Sequence, residues 1–272
     1  MLTMAPLQWR SPVKNLLLLT LFAVLTLSPG AGFAETAGCA GLTITGHPEY
    51  PPIGYKDGDR IVGAGATLVE RIAGELKIPV QSKYTGSWAE AQNAAREGRV
   101  DIIFGIYFND ERAAYLDYVR PGFLVDPVVV MVAKGKAFPF RSRQDLVGKK
   151  GVTNAGESYG SEFDGFIAQK LTGARSNGTE EALQDLLSGK ADYMIVGLYP
   201  GLAAAAKAGV KTRIEPLKTQ LLKADMFIAF SKKSPCVGEA KAFGRKVAAM
   251  RADGTIDRIL QDATKAWDAA QK

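Results

Sequence analysis

The chain has 272 residues, a formal net charge of +6, 47% hydrophobic residues and two cysteines. Its 34 lysines and arginines form no basic block, which argues against a nucleic-acid partner. CxxC pairs and metal-ligand clusters are absent and His47 is the only histidine, which argues against a metal centre, a bound cofactor and a His-based triad unless His47 serves.

Residues 1–34 read as a secretory signal. Arg10 and Lys14 give a positive region, Leu16 to Leu27 an apolar run of 12, and Gly32-Phe-Ala34 a small-residue cleavage site. That run is too short for a membrane span. Thr36-Ala-Gly-Cys39 is a poor lipidation signal, because Thr36 stands where leucine is expected and Glu35 separates the cysteine from the apolar run. Losing Arg10 and Lys14 leaves a mature chain of about 238 residues at +4, enough for one large domain or two lobes. Cys39 and Cys236 would then face an oxidising compartment, where a disulfide is expected. In the chain-entropy model so long a loop is worth more than about 4 kcal/mol.

Leu42-Thr-Ile-Thr alternates as a first strand. Three prolines between Gly46 and Tyr55 forbid regular pairing, so the spacing predicts a stiff loop displaying His47, Glu49, Tyr50 and Tyr55. Leu68, Val69, Ile72, Ala73 and Leu76 form one face of a helix, and Val80 begins a second strand. Ser87-Trp-Ala-Glu90 spells a capping box for a helix that Gly98 stops; Trp88 at its start could face a ligand or fill core.

Asp101-Ile-Ile-Phe-Gly-Ile reads as an interior parallel strand with a glycine exit at Gly105. Arg112 follows the strand end, where ligands of open α/β sheets collect and a guanidinium suits a carboxylate; an ordinary surface arginine is the alternative. Tyr115 to Phe123 reads as an irregular apolar segment. Asp126-Pro-Val-Val-Val-Met-Val-Ala is a β-branched strand, with Asp225-Met-Phe-Ile-Ala-Phe-Ser as its apparent counterpart. Between them, Gly156-Glu-Ser-Tyr-Gly160 precedes a helix, where free N–H groups favour an anion and Ser158 and Tyr159 could line a site; an ordinary serine cap is equally economical. Two helices, from Glu239 and from Ile256, close the chain.

Glu97-Gly98-Arg99-Val100-Asp101-Ile-Ile recurs 91 residues later as Ser188-Gly189-Lys190-Ala191-Asp192-Tyr-Met-Ile. Too widely spaced for a solenoid period, the recurrence reads as two similarly built α/β lobes. The two long strands would bracket the inserted lobe.

Taken with Tyr50-Pro-Pro, Val62-Gly, Asp110-Glu-Arg112, Asp117-Tyr118 and Asp145-Leu-Val-Gly-Lys, this order of motifs resembles the amino-acid-type solute-binding proteins of bacterial ABC importers (extracellular solute-binding family 3). The resemblance covers essentially the mature chain. It implies a type II periplasmic-binding-protein fold: an α/β chain with two lobes, two crossing hinge strands and a ligand cleft between. Lobe 1 would comprise residues 35–131 and 225–272, and lobe 2 residues 132–224. The implied protein is a periplasmic monomer without cofactor that closes on a small carboxylate-bearing solute and delivers it to a membrane permease. Arg112 matches the arginine that pairs with the ligand carboxylate, Tyr50 an aromatic lining position and Trp88 an aromatic that sandwiches the ligand. Ser158 falls near the second-lobe hydroxyl that completes the carboxylate site.

Three departures stand out. Tyr107 occupies a position usually Ser or Thr, Gly197 stands where an aspartate usually accepts the ligand ammonium, and Gly65-Ala-Thr67 replaces an acidic residue near the first helix. Glu49 and Glu157 are the nearest replacement counter-ions by sequence. His47, where some members place an acid, argues against lysine or arginine as ligand at neutral pH. Two other readings remain: a module serving a sensor or a periplasmic redox enzyme, and a dehydratase-like enzyme using Glu49, His47 or Glu157 as acid or base.

Overall fold

A computed structural model describes residues 38–271; the proposed signal sequence and the Glu35 and Thr36 positions lie outside the described residues. The first part of the chain runs β1 (Leu42–Gly46), β2 (Glu49–Tyr50), β3 (Gly54–Asp57), β4 (Arg60–Val62), α1 (Ala64–Glu75), β5 (Val80–Ser82), α2 (Trp88–Glu97), β6 (Ile102–Tyr107), α3 (Asp110–Ala113) and β7 (Leu116–Tyr118). A long strand, β8 (Leu124–Ala133), leads to β9 (Lys150–Asn154), α4 (Ser161–Lys170), β10 (Thr172–Ser176), α5 (Thr179–Leu187), β11 (Tyr193–Gly197), α6 (Leu198–Lys207) and β12 (Ile214–Pro216). A second long strand, β13 (Leu222–Ser231), returns to α7 (Ala240–Ala252) and α8 (Thr255–Ala270).

The principal sheet has the order β10-β9-β11-β8-β13-β6-β1-β5. Its ends are parallel, β5-β1-β6 in one lobe and β10-β9-β11 in the other. Its centre is antiparallel. Leu124–Val128 of β8 pair with Leu222–Met226 of β13, after which β8 continues along β11 and β13 along β6. Each long strand thus belongs to both lobes, the two-lobed type II arrangement.

The repeated Gly–basic–x–Asp motif has the same task in each lobe. Gly98 takes a left-handed conformation as the cap of α2, and Gly189 has a similarly positive φ after α5. Asp101 then accepts the Thr43 N–H of β1 at 2.7 Å, and Asp192 accepts the Lys150 N–H of β9 at 2.8 Å. Each aspartate caps the start of the neighbouring parallel strand.

Burial explains the layers. Ile44, Leu68, Ile72, Phe104, Phe230 and Phe243 form a core between the first lobe's sheet and α1, α7 and α8, while Trp88, Ala91, Ala95, Ile103 and Ile106 bury α2 on the other face. Val152, Leu183, Leu186, Met194 and Ala205 seat α5 and α6 on the second lobe.

Several local expectations are corrected. The proline-rich loop does pair: Glu49 and Tyr50 lie opposite Tyr55 and Gly54, in a three-stranded sheet with β4. Pro51 and Pro52 limit that pairing by supplying the turn. The segment after Arg112 contains a strand, β7, whose Leu116 and Tyr118 turn inward while Asp117 faces out beside β13. β6 is parallel to β1 but antiparallel to β13, so it is interior to a mixed sheet.

Cys39 and Cys236 form a disulfide across 197 residues, tying the segment before β1 to the turn before α7. Replacing both with serine should cost about 3–5 kcal/mol through the freed unfolded chain. Urea denaturation with a loss below about 1 kcal/mol would show that other contacts already hold this terminus.

Candidate functional site

The crossing of β8 and β13 places Asp126 between the lobes, where it is fully buried. Tyr50 of β2 and Tyr107 at the end of β6 both reach its Oδ2, at 2.5 Å and 2.6 Å, and their hydroxyls lie 2.5 Å apart. Two hydroxyl protons cannot satisfy three such contacts around a carboxylate. Loss of hydration pushes the Asp126 carboxyl up to about 6, despite the two tyrosine hydrogen bonds that favour its ionised form. Burial first, then the Asp126 charge, raises both tyrosines well above their ordinary value. Asp126 Oδ1 is buried and has no hydrogen-bond partner among the described residues.

Gly197 closes this cluster from the second lobe. A Cβ there would overlap Tyr50 Oη and lie 2.5 Å from Asp126 Oδ2. Gly105 acts from behind. Its φ of 71° coincides with the register shift that passes from Ile106–Phe227 to Phe104–Ile228, so it forms a bulge just before Tyr107.

Arg112 is 3% exposed, held by the turn that Asn109 caps through its own bond to the Arg112 N–H. Its guanidinium donates to Gln92 Oε1 at 2.9 Å, to the Tyr107 carbonyl at 3.1 Å and, across the cleft, to the Gly156 carbonyl at 2.9 Å. All three acceptors are neutral. No carboxylate among the described residues forms an ion pair with it.

Other predicted residues also join the lobes. Glu49 accepts the Thr179 N–H at 2.8 Å, at the start of α5, so this carboxylate is already placed on a helix N-terminus. His47 is buried and stacks on Trp88 at 4.8 Å. Its Nδ1 accepts the Glu49 N–H, which in the neutral ring leaves the proton on Nε2, 3.1 Å from Glu157 Oε1. Trp88 is 4% exposed, with Arg112 5.7 Å over its ring, so it both packs in the core and borders the interface. Ser158 accepts from Asn109 at 2.6 Å and donates to Asp164. Tyr159 is buried against Thr153 and the Ile195 carbonyl, its ring 6.3 Å from Tyr107.

The structure therefore gathers His47, Glu49, Tyr50, Trp88, Tyr107, Arg112, Ser158 and Tyr159 at one interface between lobes. Beside it lies a groove of about 750 Å³ lined by His47, Glu49, Trp88, Asn154, Thr179 and Trp267. Asp126, Gln92, Asn109 and Asn154 are interface residues that sequence reasoning passed over. For Asp126 a signal existed: a lone carboxylate heading an apolar, β-branched strand.

Because the folded-state value of Asp126 is raised, the stabilisation from keeping it protonated is present below about pH 4 and is lost as pH rises towards 6. Asp126→Asn should abolish that loss, worth roughly 3 kcal/mol above pH 6. Urea unfolding of ligand-free protein from pH 4 to 8 checks it; an unchanged slope in the variant would refute the assignment.

No curated protein matches the sequence. Among solved structures, the fold is similar to a histidine kinase sensor domain with similarity to periplasmic binding proteins (21% identity, TM-score 0.69, covering 82% of this chain and 95% of that one). It is also similar to an amino acid ABC transporter substrate-binding protein from Streptococcus pneumoniae, bound to L-arginine (21% identity, TM-score 0.69, covering 84% and 96%). A third is an ancestral amino-acid-binding protein, a precursor of cyclohexadienyl dehydratase (22% identity, TM-score 0.65, covering 83% and 96%). Residues 42–265 match the family described as bacterial extracellular solute-binding proteins, family 3, and the chain belongs to that family.

Proposed function

We propose that the protein captures a small carboxylate-bearing, amino-acid-like solute in the periplasm and delivers it to the permease of an ABC importer, as a monomer and without catalysis. The lobes are taken as residues 35–131 with 225–272, and 132–224. The observation that carries this reading is Arg112: a buried guanidinium whose hydrogen bonds all go to neutral acceptors. A buried charge without a counter-charge is costly. A carboxylate entering between the lobes would supply the missing charge and gain two charge-assisted bonds. Tyr50, Trp88, Tyr107 and Tyr159 offer aromatic walls, and Ser158, His47 and Glu49 would be released from their inter-lobe bonds or rearranged as the solute enters. The arginine-bound transporter protein supports the solute class.

A second reading, a receptor module serving a sensor, draws on the sensor-domain likeness and on Gly197, where no ammonium-binding carboxylate stands. Either reading requires solute capture; a permease and an ATPase encoded beside this chain would favour import.

Thermal unfolding against amino acids, dicarboxylates, aromatic acids and cyclic acids tests capture directly. A solute at 100 times its dissociation constant should add about 2.7 kcal/mol and raise Tm. Arg112→Ala, compared with its own ligand-free Tm, should lose that rise. A flat panel, or a rise undiminished in Arg112→Ala, would overturn the reading.

A further inference from the structure

Arg112 has a mirror image in Asp126. Among the described residues, Asp126 Oδ1 is the only carboxylate oxygen that is buried without a hydrogen-bond partner. Its other oxygen is engaged by Tyr50 and Tyr107, and none of the ion pairs among the described residues includes Asp126. The two groups grip opposite ends of one residue: Arg112 donates to the Tyr107 carbonyl, and the Tyr107 hydroxyl reaches Asp126. Among the described residues, the interface therefore holds a buried guanidinium without a carboxylate partner and, at the other end of Tyr107, a buried carboxyl group without a cationic partner, which becomes an anion above about pH 6.

We propose that Asp126 Oδ1 receives a cationic group of the solute, an ammonium, and so supplies from the hinge strand the counter-charge that Gly197 cannot. This rests on the reading of the chain as a solute-capturing protein. A water molecule would satisfy the hydrogen bond but not the charge, whereas an ammonium meets both needs. The hydroxyls of Tyr50 and Tyr107 hold the carboxylate in place, and the rings around it tolerate a cation. Gly197 is required by the arrangement, because a side chain there would overlap Tyr50 Oη. The solute class that fits both charges is the zwitterion, an amino acid rather than a simple carboxylic acid.

Ionisation of Asp126 gives the site a pH signature. The titratable groups facing it are Tyr50, Tyr107 and, more remotely, Glu157, which is paired with His47; on β13 the residue opposite is Ala224. The tyrosines stay protonated throughout the relevant range. Since the Asp126 carboxyl titrates at about 6, ammonium binding should weaken below that pH.

The test is calorimetric titration of the purified protein with L-amino acids and 4-aminobutanoate, each beside the acid that carries hydrogen in place of the amino group. At pH 7.5 the amino member of at least one pair should bind tenfold or more tighter than its partner. Asp126→Asn should erase that preference while leaving the desamino acid's affinity within a few-fold. In the wild type the amino member should weaken about tenfold between pH 7 and 5, and the desamino member should not. His47 lies at the same interface beside Glu157, so His47→Gln is the control: the step must persist there. If Asp126→Asn does not fold, this pH profile decides alone. An amino-acid preference that survives Asp126→Asn, or a step lost with His47→Gln, overturns the role of Asp126 and leaves solute capture standing. A set in which only desamino acids bind does the same. A set in which nothing binds overturns both.

Discussion

The antiparallel pairing of β8 with β13 is the constraint on which the rest of this molecule depends. Each parallel half-sheet could bury its helices by itself, but only these two strands run through both halves. Their shared stretch, Leu124–Val128 against Leu222–Met226, is where a residue can be inside the protein and between the lobes at once. Asp126 occupies that stretch. A carboxylate there is dehydrated by the fold itself, whatever the lobes do, and its chemistry follows from its place in the sheet.

Charge arrangement in the cleft follows the same logic. Arg112 sits on a four-residue turn fixed by the Asn109 cap, and its guanidinium is oriented by one side-chain amide and two carbonyls. Neutral acceptors fix geometry without cancelling charge. Asp126 is likewise oriented by two hydroxyls and has no ion-pair partner among the described residues. Under the proposed function, such preorganisation aims both groups before a solute arrives and lowers the ordering cost of binding. The Thr179 N–H to Glu49, the His47–Glu157 contact and the Asn109 amide to Ser158 join the two lobes beside these groups.

Much of the fold is legible in the sequence because its signals are local. The Ser87–Glu90 capping box, the Gly98 stop and the β-branched run of β8 each act within a few residues. The Gly–basic–x–Asp echo is legible for a deeper reason: both aspartates cap a neighbouring strand, so the same constraint writes the same letters twice. What escapes is non-local. The β2–β3 pairing is concealed by prolines that shape its turn. Arg112 could be placed at a strand exit, but its Gly156 partner is 44 residues away in the other lobe. Asp126 is harder still, since its partners come from positions 76 and 19 residues distant.

Two of the three departures from the family pattern, Gly197 and Tyr107, meet at Asp126. An aspartate at position 197 could not coexist with Tyr50 Oη where it now lies, since even a Cβ would overlap it. Tyr107 in place of a short hydroxyl residue is what brings a second donor within 2.6 Å of Asp126. The bare backbone of Gly197 leaves room for Tyr50 Oη beside the hinge-strand carboxyl, and the Tyr107 ring spans from the end of β6 to the same oxygen, so the three positions fit one another at Asp126.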